Sequence, residues 1–121
     1  MLIKMIAPNF VHVDDRGSLT QLFRDGYKQV NVITCKNGSI RGGHYHKKNI
    51  EAFFVISGSF TLELSKDGET EKHHIDTGVM FTIDPYVTHT FYYEEDTILV
   101  SAYSNGVELP DGNMDIFKKD D

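Results

Sequence analysis

Apolar and polar residues alternate with a period of two along most of this chain, and no 3.6-residue apolar stripe is sustained anywhere. Phe60, Leu62 and Leu64 alternate with Thr61 and Glu63, the pattern of a strand with one buried face. His89, Phe91 and Tyr93 repeat it on one face of a later segment. Leu2 to Ile6 and Phe10 to Val13 read as strands separated by Pro8-Asn9, the first at a sheet edge because proline closes it. Ser18 to Phe23, Glu69 to Ile75, Val79 to Ile83 and Thr97 to Tyr103 read likewise, with Glu69 to Ile75 mostly solvated. Gln29 to Cys35, rich in β-branched residues, is expected to be a buried strand. Turn signals separate these runs: Asp14-Asp15-Arg16-Gly17, Asp25-Gly26, Lys36-Asn37-Gly38, Lys66-Asp67-Gly68, Asp76-Thr77-Gly78 and Glu94-Glu95-Asp96. Met114 to Phe117 is expected to form a short turn or helix. Roughly ten short strands with regular turns predict an all-β domain, a sandwich or a barrel.

Length and charge narrow the picture. A chain of 121 residues with 40% hydrophobic and 12% aromatic content builds one core and one domain, spanning 1–121. Net charge is −6 and no basic run exceeds two residues, which argues against nucleic acid and membrane surfaces as partners. The single cysteine, Cys35, excludes an internal disulfide and reads as a small buried residue. With no signal-peptide pattern and no 18-residue apolar run, the expected location is the cytoplasm.

The chemistry concentrates between Gly38 and Gly58. His44 and His46 are two apart, so on a strand both imidazoles leave one face, about 7 Å apart along the backbone. Lys47-Lys48-Asn49 suits a reversal that brings Glu51 back beside them. With His89 from a facing strand, these residues form a set of nitrogen and carboxylate ligands suited to zinc, nickel, iron or manganese. A lone strand histidine is usually structural, so the weight lies in the combination. His73 and His74 point to opposite faces of a charged strand, and His12 lies beside Asp14 and Asp15; all three read as surface residues.

The spacing of Gly38, His44-x-His46, Glu51 and Gly58 resembles the first cupin motif at every defined position. Gly78, Pro85 and His89 resemble the second, with a Gly-to-Pro gap one residue longer than usual. Val87 stands in place of the usual glycine, and Tyr93 where asparagine is common. The resemblance implies a cupin double-stranded β-helix, or jelly-roll barrel, with His44, His46, Glu51 and His89 as metal ligands facing its bore. Asp14-Asp15-Arg16-Gly17-Ser18-Leu19, Ile40 to Lys48, Tyr103 and Met114 to Lys119 are further similar to nucleotide-sugar-modifying cupins. These include dTDP-4-keto-6-deoxyglucose 3,4-ketoisomerases and the cupin domain of capsular-polysaccharide enzymes acting on UDP-4-ketohexoses.

That likeness implies an isomerase or epimerase acting on a dTDP- or UDP-linked 4-keto-(6-deoxy)hexose, for polysaccharide or deoxysugar biosynthesis. The C4 ketone acidifies the C3 proton, a base removes it, and an enediolate forms. Two routes stay open. Ketoisomerases usually carry glutamine at the position of Glu51 and use histidines as acid and base, a role for His44 and His46 here. The capsular cupin keeps the glutamate and holds zinc. Tyr103 and Tyr92 are candidates to handle protons, and Arg16, Arg41 and Tyr92 to bind substrate. Arg16 pairing with Asp14 or Asp15 in its own turn is an equally good reading. The likeness also implies a homodimer, in which strands within 1–35 exchange and 105–121 form a C-terminal tail. A metal-dependent cupin dioxygenase and a non-catalytic metal- or sugar-binding cupin are the alternatives.

Overall fold

The computed structural model describes residues 1–119, and the last two residues of the expected tail lie outside them. Twelve strands occur among the described residues: β1 (Ile3–Ile6), β2 (Phe10–Asp14), β3 (Gly17–Gln21), β4 (Gln29–Cys35), β5 (Ile40–Tyr45) and β6 (Glu51–Ser57), then β7 (Ser59–Lys66), β8 (Glu69–Asp76), β9 (Met80–Ile83), β10 (Thr88–Tyr93), β11 (Thr97–Tyr103) and β12 (Phe117–Lys118). One sheet has the order β1-β9-β6-β11-β4, and the other β12-β5-β10-β7-β8. All pairings are antiparallel, and β2 and β3 form a separate hairpin. This is the two-sheet, all-β arrangement of a cupin-like jelly roll. Apart from β7–β8 within the sheets, every pairing joins strands distant in sequence, so neither sheet exists until the whole chain has collapsed.

Period-two patterning explains why the sheets face each other. Phe60, Leu62 and Leu64 of β7 are fully buried, while Thr61 and Glu63 between them are not. Phe53 of β6 stacks on Phe81 of the neighbouring strand β9 at 5.0 Å and, across the interface, meets Phe91 of β10 at 5.1 Å. Phe60 closes the cluster against Phe91 at 5.2 Å and Tyr93 at 5.5 Å. Burying each such ring contributes about 1.5–3 kcal/mol. β1 lies at an edge, as the proline after it predicts.

Two expectations are corrected. Gln29–Cys35 is an edge strand buried on one face only, with Val30 59% and Val32 68% exposed. β-branched composition records fit to a pleated surface and does not distinguish a one-sided strand from a two-sided one. The segment Met114 to Phe117 forms no helix: Met114 bridges to Glu108, and Phe117 begins β12 on the edge of β5. Cys35 is buried and free, as expected.

Gly58 shows how tightly the turns are fitted. Its φ is +109°, and a Cβ there would lie 2.4 Å from Thr97 Oγ1 and 2.7 Å from the Asp96 carbonyl. Gly58→Ala is therefore expected to destabilise the fold by about 2–4 kcal/mol. Urea denaturation checks this; a loss below roughly 0.5 kcal/mol would show that the β6–β7 corner relaxes freely.

Candidate functional site

Each sheet supplies one half of a polar cluster in an otherwise apolar interior. On the second sheet His44 of β5 pairs in register with His89 of β10, so both rings leave the same face. A bulge between His89 and Thr90 interrupts that register. Gly42 sits opposite Thr90 with φ +102°, and a Cβ there would lie 2.4 Å from the His89 carbonyl. Only glycine lets β5 come this close to the bulge that aims His89 inward. His46 lies one residue beyond β5, at the start of the predicted reversal.

The first sheet answers with Glu51, Ser101 and Tyr103. Glu51 of β6 and Tyr103 of β11 are in register, and Ser101 lies two residues from Tyr103 on the same face. Ser101 Oγ donates to Glu51 Oε2 at 2.7 Å. Glu51 Oε1 lies 3.1 Å from His46 Nε2 and 3.5 Å from His89 Nε2. Tyr103 packs edge-on to the His46 ring at 5.2 Å. The three imidazoles offer ligand nitrogens within 4.8 Å of one another. His44 to His89 and His44 to His46 centroid distances are 4.7 and 5.2 Å.

Hydrogen bonding fixes which ring nitrogens carry protons. A carbonyl oxygen only accepts, so a ring nitrogen bonded to one must be its N–H. His46 Nδ1 donates to the Asp115 carbonyl at 2.6 Å, and His89 Nδ1 to the Val87 carbonyl at 3.0 Å. In the neutral rings both Nε2 atoms are then lone pairs, and both face the Glu51 carboxylate. His89 Nε2 is buried without a hydrogen-bond partner. Lone pairs and a carboxylate crowded together in a low-dielectric interior repel unless a cation, a proton or a metal ion, lies among them. A divalent metal ion therefore fits the donor set.

The same crowding separates the titrations. Burial pushes His89 down to about 4, with the Glu51 charge opposing. Burial and the neighbouring His46 also lower His44. Burial acts to lower His46 too, but the Glu51 bond and charge and the Asp115 carbonyl outweigh it, leaving its pKa raised. Burial acts to raise Glu51, yet His46 and His89 hold its carboxyl below the ordinary range. The Tyr103 phenol is pushed up by burial and by Glu51, so it stays protonated across the neutral range.

A cavity of about 150 Å³ opens onto the cluster, lined by His44, Glu51, His89, Tyr93, Tyr103 and Arg41, with Ile33, Gly42, Phe53 and Phe91. Arg41 thus stands at the bore. Tyr92 does not: it is 37% exposed on the outer face of β10, where the alternation that turns His89, Phe91 and Tyr93 inward must put it. Arg16 is likewise outside the bore of its own chain, at the exposed β2–β3 turn, where it pairs with Asp14 Oδ2 at 2.7 Å. His12 also pairs with Asp14, while His73 and His74 pair with carboxylates on and around β8. Sequence reasoning missed Ser101, Tyr93 and Asp115 as parts of the site; the parity of β10 and β11 signals the first two.

The titrations give a stability profile for the metal-free protein. His46, raised on folding, stabilises fully below the unfolded value of about 6.5, and that contribution is lost as pH rises through its folded value. His89, lowered on folding, acts oppositely: stability falls as pH drops from about 6.5 to about 4. Glu51 adds a further loss as pH falls below its unfolded value of about 4.5. Urea midpoints across pH are expected to peak near pH 6.5, and His89→Gln to flatten the limb between about 6.5 and 4. An unchanged acid limb in that variant would contradict the assignment.

Residues 12–106 match the family model described as the polysaccharide biosynthesis C-terminal domain. Among solved structures, a variant of the QdtA 3,4-ketoisomerase from Thermoanaerobacterium thermosaccharolyticum in complex with TDP is 26% identical, with TM-score 0.71, covering 85% of this chain and 80% of that one. The WlaRB TDP-quinovose 3,4-ketoisomerase from Campylobacter jejuni shares 18% identity at TM-score 0.81, covering 97% and 92%. The capsular polysaccharide assembling protein CapF from Staphylococcus aureus matches at 24% identity and TM-score 0.69, over 93% of this chain but only 34% of its own length. Comparison with curated proteins finds no match. The chain belongs to the polysaccharide biosynthesis C-terminal domain family, and its fold is that of the cupin sugar-nucleotide isomerases and epimerases.

Proposed function

We propose that this chain is an isomerase or epimerase of a dTDP- or UDP-linked 4-keto-(6-deoxy)hexose, working through an enediolate in the barrel bore. The observation that carries the reading is the convergence of the His46 and His89 lone pairs on Glu51, beside a cavity that His44, Glu51, His89 and Arg41 line. The family's link to polysaccharide biosynthesis and the TDP bound by the QdtA variant support the substrate class.

His44, His46 and His89, with Glu51 beside them, would hold a divalent zinc, nickel, iron or manganese ion, whose Lewis acidity favours enolisation of a ketone. The chain's own groups supply the rest. Ser101 holds Glu51 in place through its 2.7 Å hydrogen bond. The Tyr103 phenol, kept protonated, is a proton donor at the bore wall. Arg41 offers a guanidinium fork to the diphosphate. Ile33, Phe53 and Phe91 present an apolar wall that excludes water from the sugar.

A specific observation favours a second route. The environments of His44 and His46 push their pKa values apart, one down and one up. In an ion-free bore this favours His44 as the base at C3 and His46 as the acid. Reprotonation on the opposite face of C3 gives an epimer, and proton return elsewhere on the enediolate gives the keto isomer.

Incubation with dTDP- or UDP-4-keto-6-deoxyglucose in D₂O is expected to place deuterium at C3 if the chain epimerises, or at C4 if it forms the 3-keto isomer, read by proton NMR. Protein that binds the nucleotide but exchanges nothing would make the bore a binding module and sink the proposal. Arg41→Ala is expected to weaken dTDP or UDP binding about tenfold or more, with metal stoichiometry unchanged. Glu51→Gln is expected to weaken zinc at least roughly tenfold while the fold survives. Full metal affinity in that variant, by competition with a chromophoric chelator, would remove Glu51 from the site.

A further inference from the structure

The C-terminal segment is built into the bore, although it contributes no side chain to the cavity. Asp115 is 1% exposed, in a loop between the Glu108–Met114 bridge and β12. Its carboxylate accepts the backbone N–H of Lys47 at 2.9 Å, that of Lys48 at 2.9 Å and Asn49 Nδ2 at 2.7 Å. Its own N–H donates to the Val107 carbonyl at 2.8 Å. Asn49, equally buried, extends the network: its Oδ1 accepts the N–H groups of Asn105 and Gly106, and its Nδ2 also reaches the Gly106 carbonyl. Beyond Asp115, β12 pairs with Tyr45 and His44, and the Lys119 N–H donates to the Gly43 carbonyl. Asp115 therefore grips the reversal that follows His46, while its carbonyl takes the His46 Nδ1 proton at 2.6 Å.

We propose that Asp115 is a positioning residue for the bore: through its carboxylate it fixes the place of its own carbonyl, which holds His46 in the Nδ1–H tautomer with Nε2 aimed at Glu51. The reason is geometric. A neutral imidazole has one donor and one acceptor nitrogen, so whichever group claims Nδ1–H determines what Nε2 presents to the bore. A backbone carbonyl does this reliably only if its peptide cannot turn. Three donors to one buried carboxylate, the 2.8 Å bond to Val107 and the β12 pairing restrain that peptide from both sides. Without the carboxylate, the buried Asn49 amide and the part-buried N–H groups of Lys47 and Lys48 lose their acceptor, the reversal at 47–49 loosens and the carbonyl is free to move away. This inference rests on the proposed role of His46 at the bore, but its test separates the two.

The first reading is taken on the metal-free wild-type protein at about pH 9, where histidine rings are neutral. Long-range ¹H–¹⁵N NMR of the imidazoles is expected to show His46 as the Nδ1–H tautomer; a dominant Nε2–H tautomer overturns the proposal whatever the protein's activity. Asp115→Ala is expected to mix the two tautomers at His46 while leaving His89, held by Val87, unchanged as an internal control. Zinc affinity, by chelator competition, is expected to fall about 10- to 100-fold in Asp115→Ala and only a few-fold in Asp115→Asn, which keeps one acceptor oxygen. If Asp115→Ala does not fold, Asp115→Asn carries the test: a tautomer population and zinc affinity both identical to wild type overturn the proposal. If the wild-type protein binds no zinc, the metal reading of the bore fails, and the tautomer measurement still decides the role of Asp115.

Discussion

Two imidazole lone pairs and a carboxylate share one small volume inside this molecule, and neither sheet alone creates that crowding. Glu51 reaches in from β6 of the first sheet, held by Ser101; His89 comes from β10 of the second, and His46 from just past β5. With both Nδ1 protons committed to backbone carbonyls, the Nε2 atoms of the neutral His46 and His89 rings face the Glu51 carboxylate as acceptors. An all-acceptor cluster is stable in a low-dielectric interior only around a positive charge. The raised His46 and the lowered carboxyl of Glu51 follow from their pairing, while burial sets the lowered His89 and the protonated Tyr103.

The fold serves this crowding at some cost to itself. Phe53, Phe60, Phe81 and Phe91 bring the sheets together and bury the cluster beside a dry wall. The β10 bulge and the glycine opposite it let His44 and His89 approach to 4.7 Å between rings. A bulge interrupts the ladder, a glycine adds nothing to packing, and a lone pair at His89 Nε2 stays unsatisfied. Such departures from stable packing collect where chemistry is needed.

Much of this was legible in the chain. Period-two patterning gave the all-β architecture, strand parity put His44 and His46 on one face, the reversal at 47–49 returned Glu51 to them, and a facing strand, supported by the cupin resemblance, added His89. The same parity already placed Tyr92 on the outside, since His89, Phe91 and Tyr93 occupy the inner face; as a candidate to handle protons and bind substrate, Tyr92 conflicts with that alternation. Burial of β4 was misread because composition cannot show whether a second layer covers its outer face. Asp115 was invisible for a different reason. Its contact with His46 runs through a backbone carbonyl nearly seventy positions away in the chain, and every residue carries a carbonyl.

The central claim is that the acceptor cluster is arranged around a cation that the bore holds in place. Anomalous diffraction at the zinc edge, from crystals grown with zinc and without a chelator, tests it most directly. The account predicts one strong peak at the centre of the His44, His46 and His89 cluster, with Glu51 turned towards it. An empty bore, with Glu51 hydrogen-bonded directly to a protonated His46 and zinc bound only at the surface, would contradict the metal and leave protons as the charge that the cluster holds.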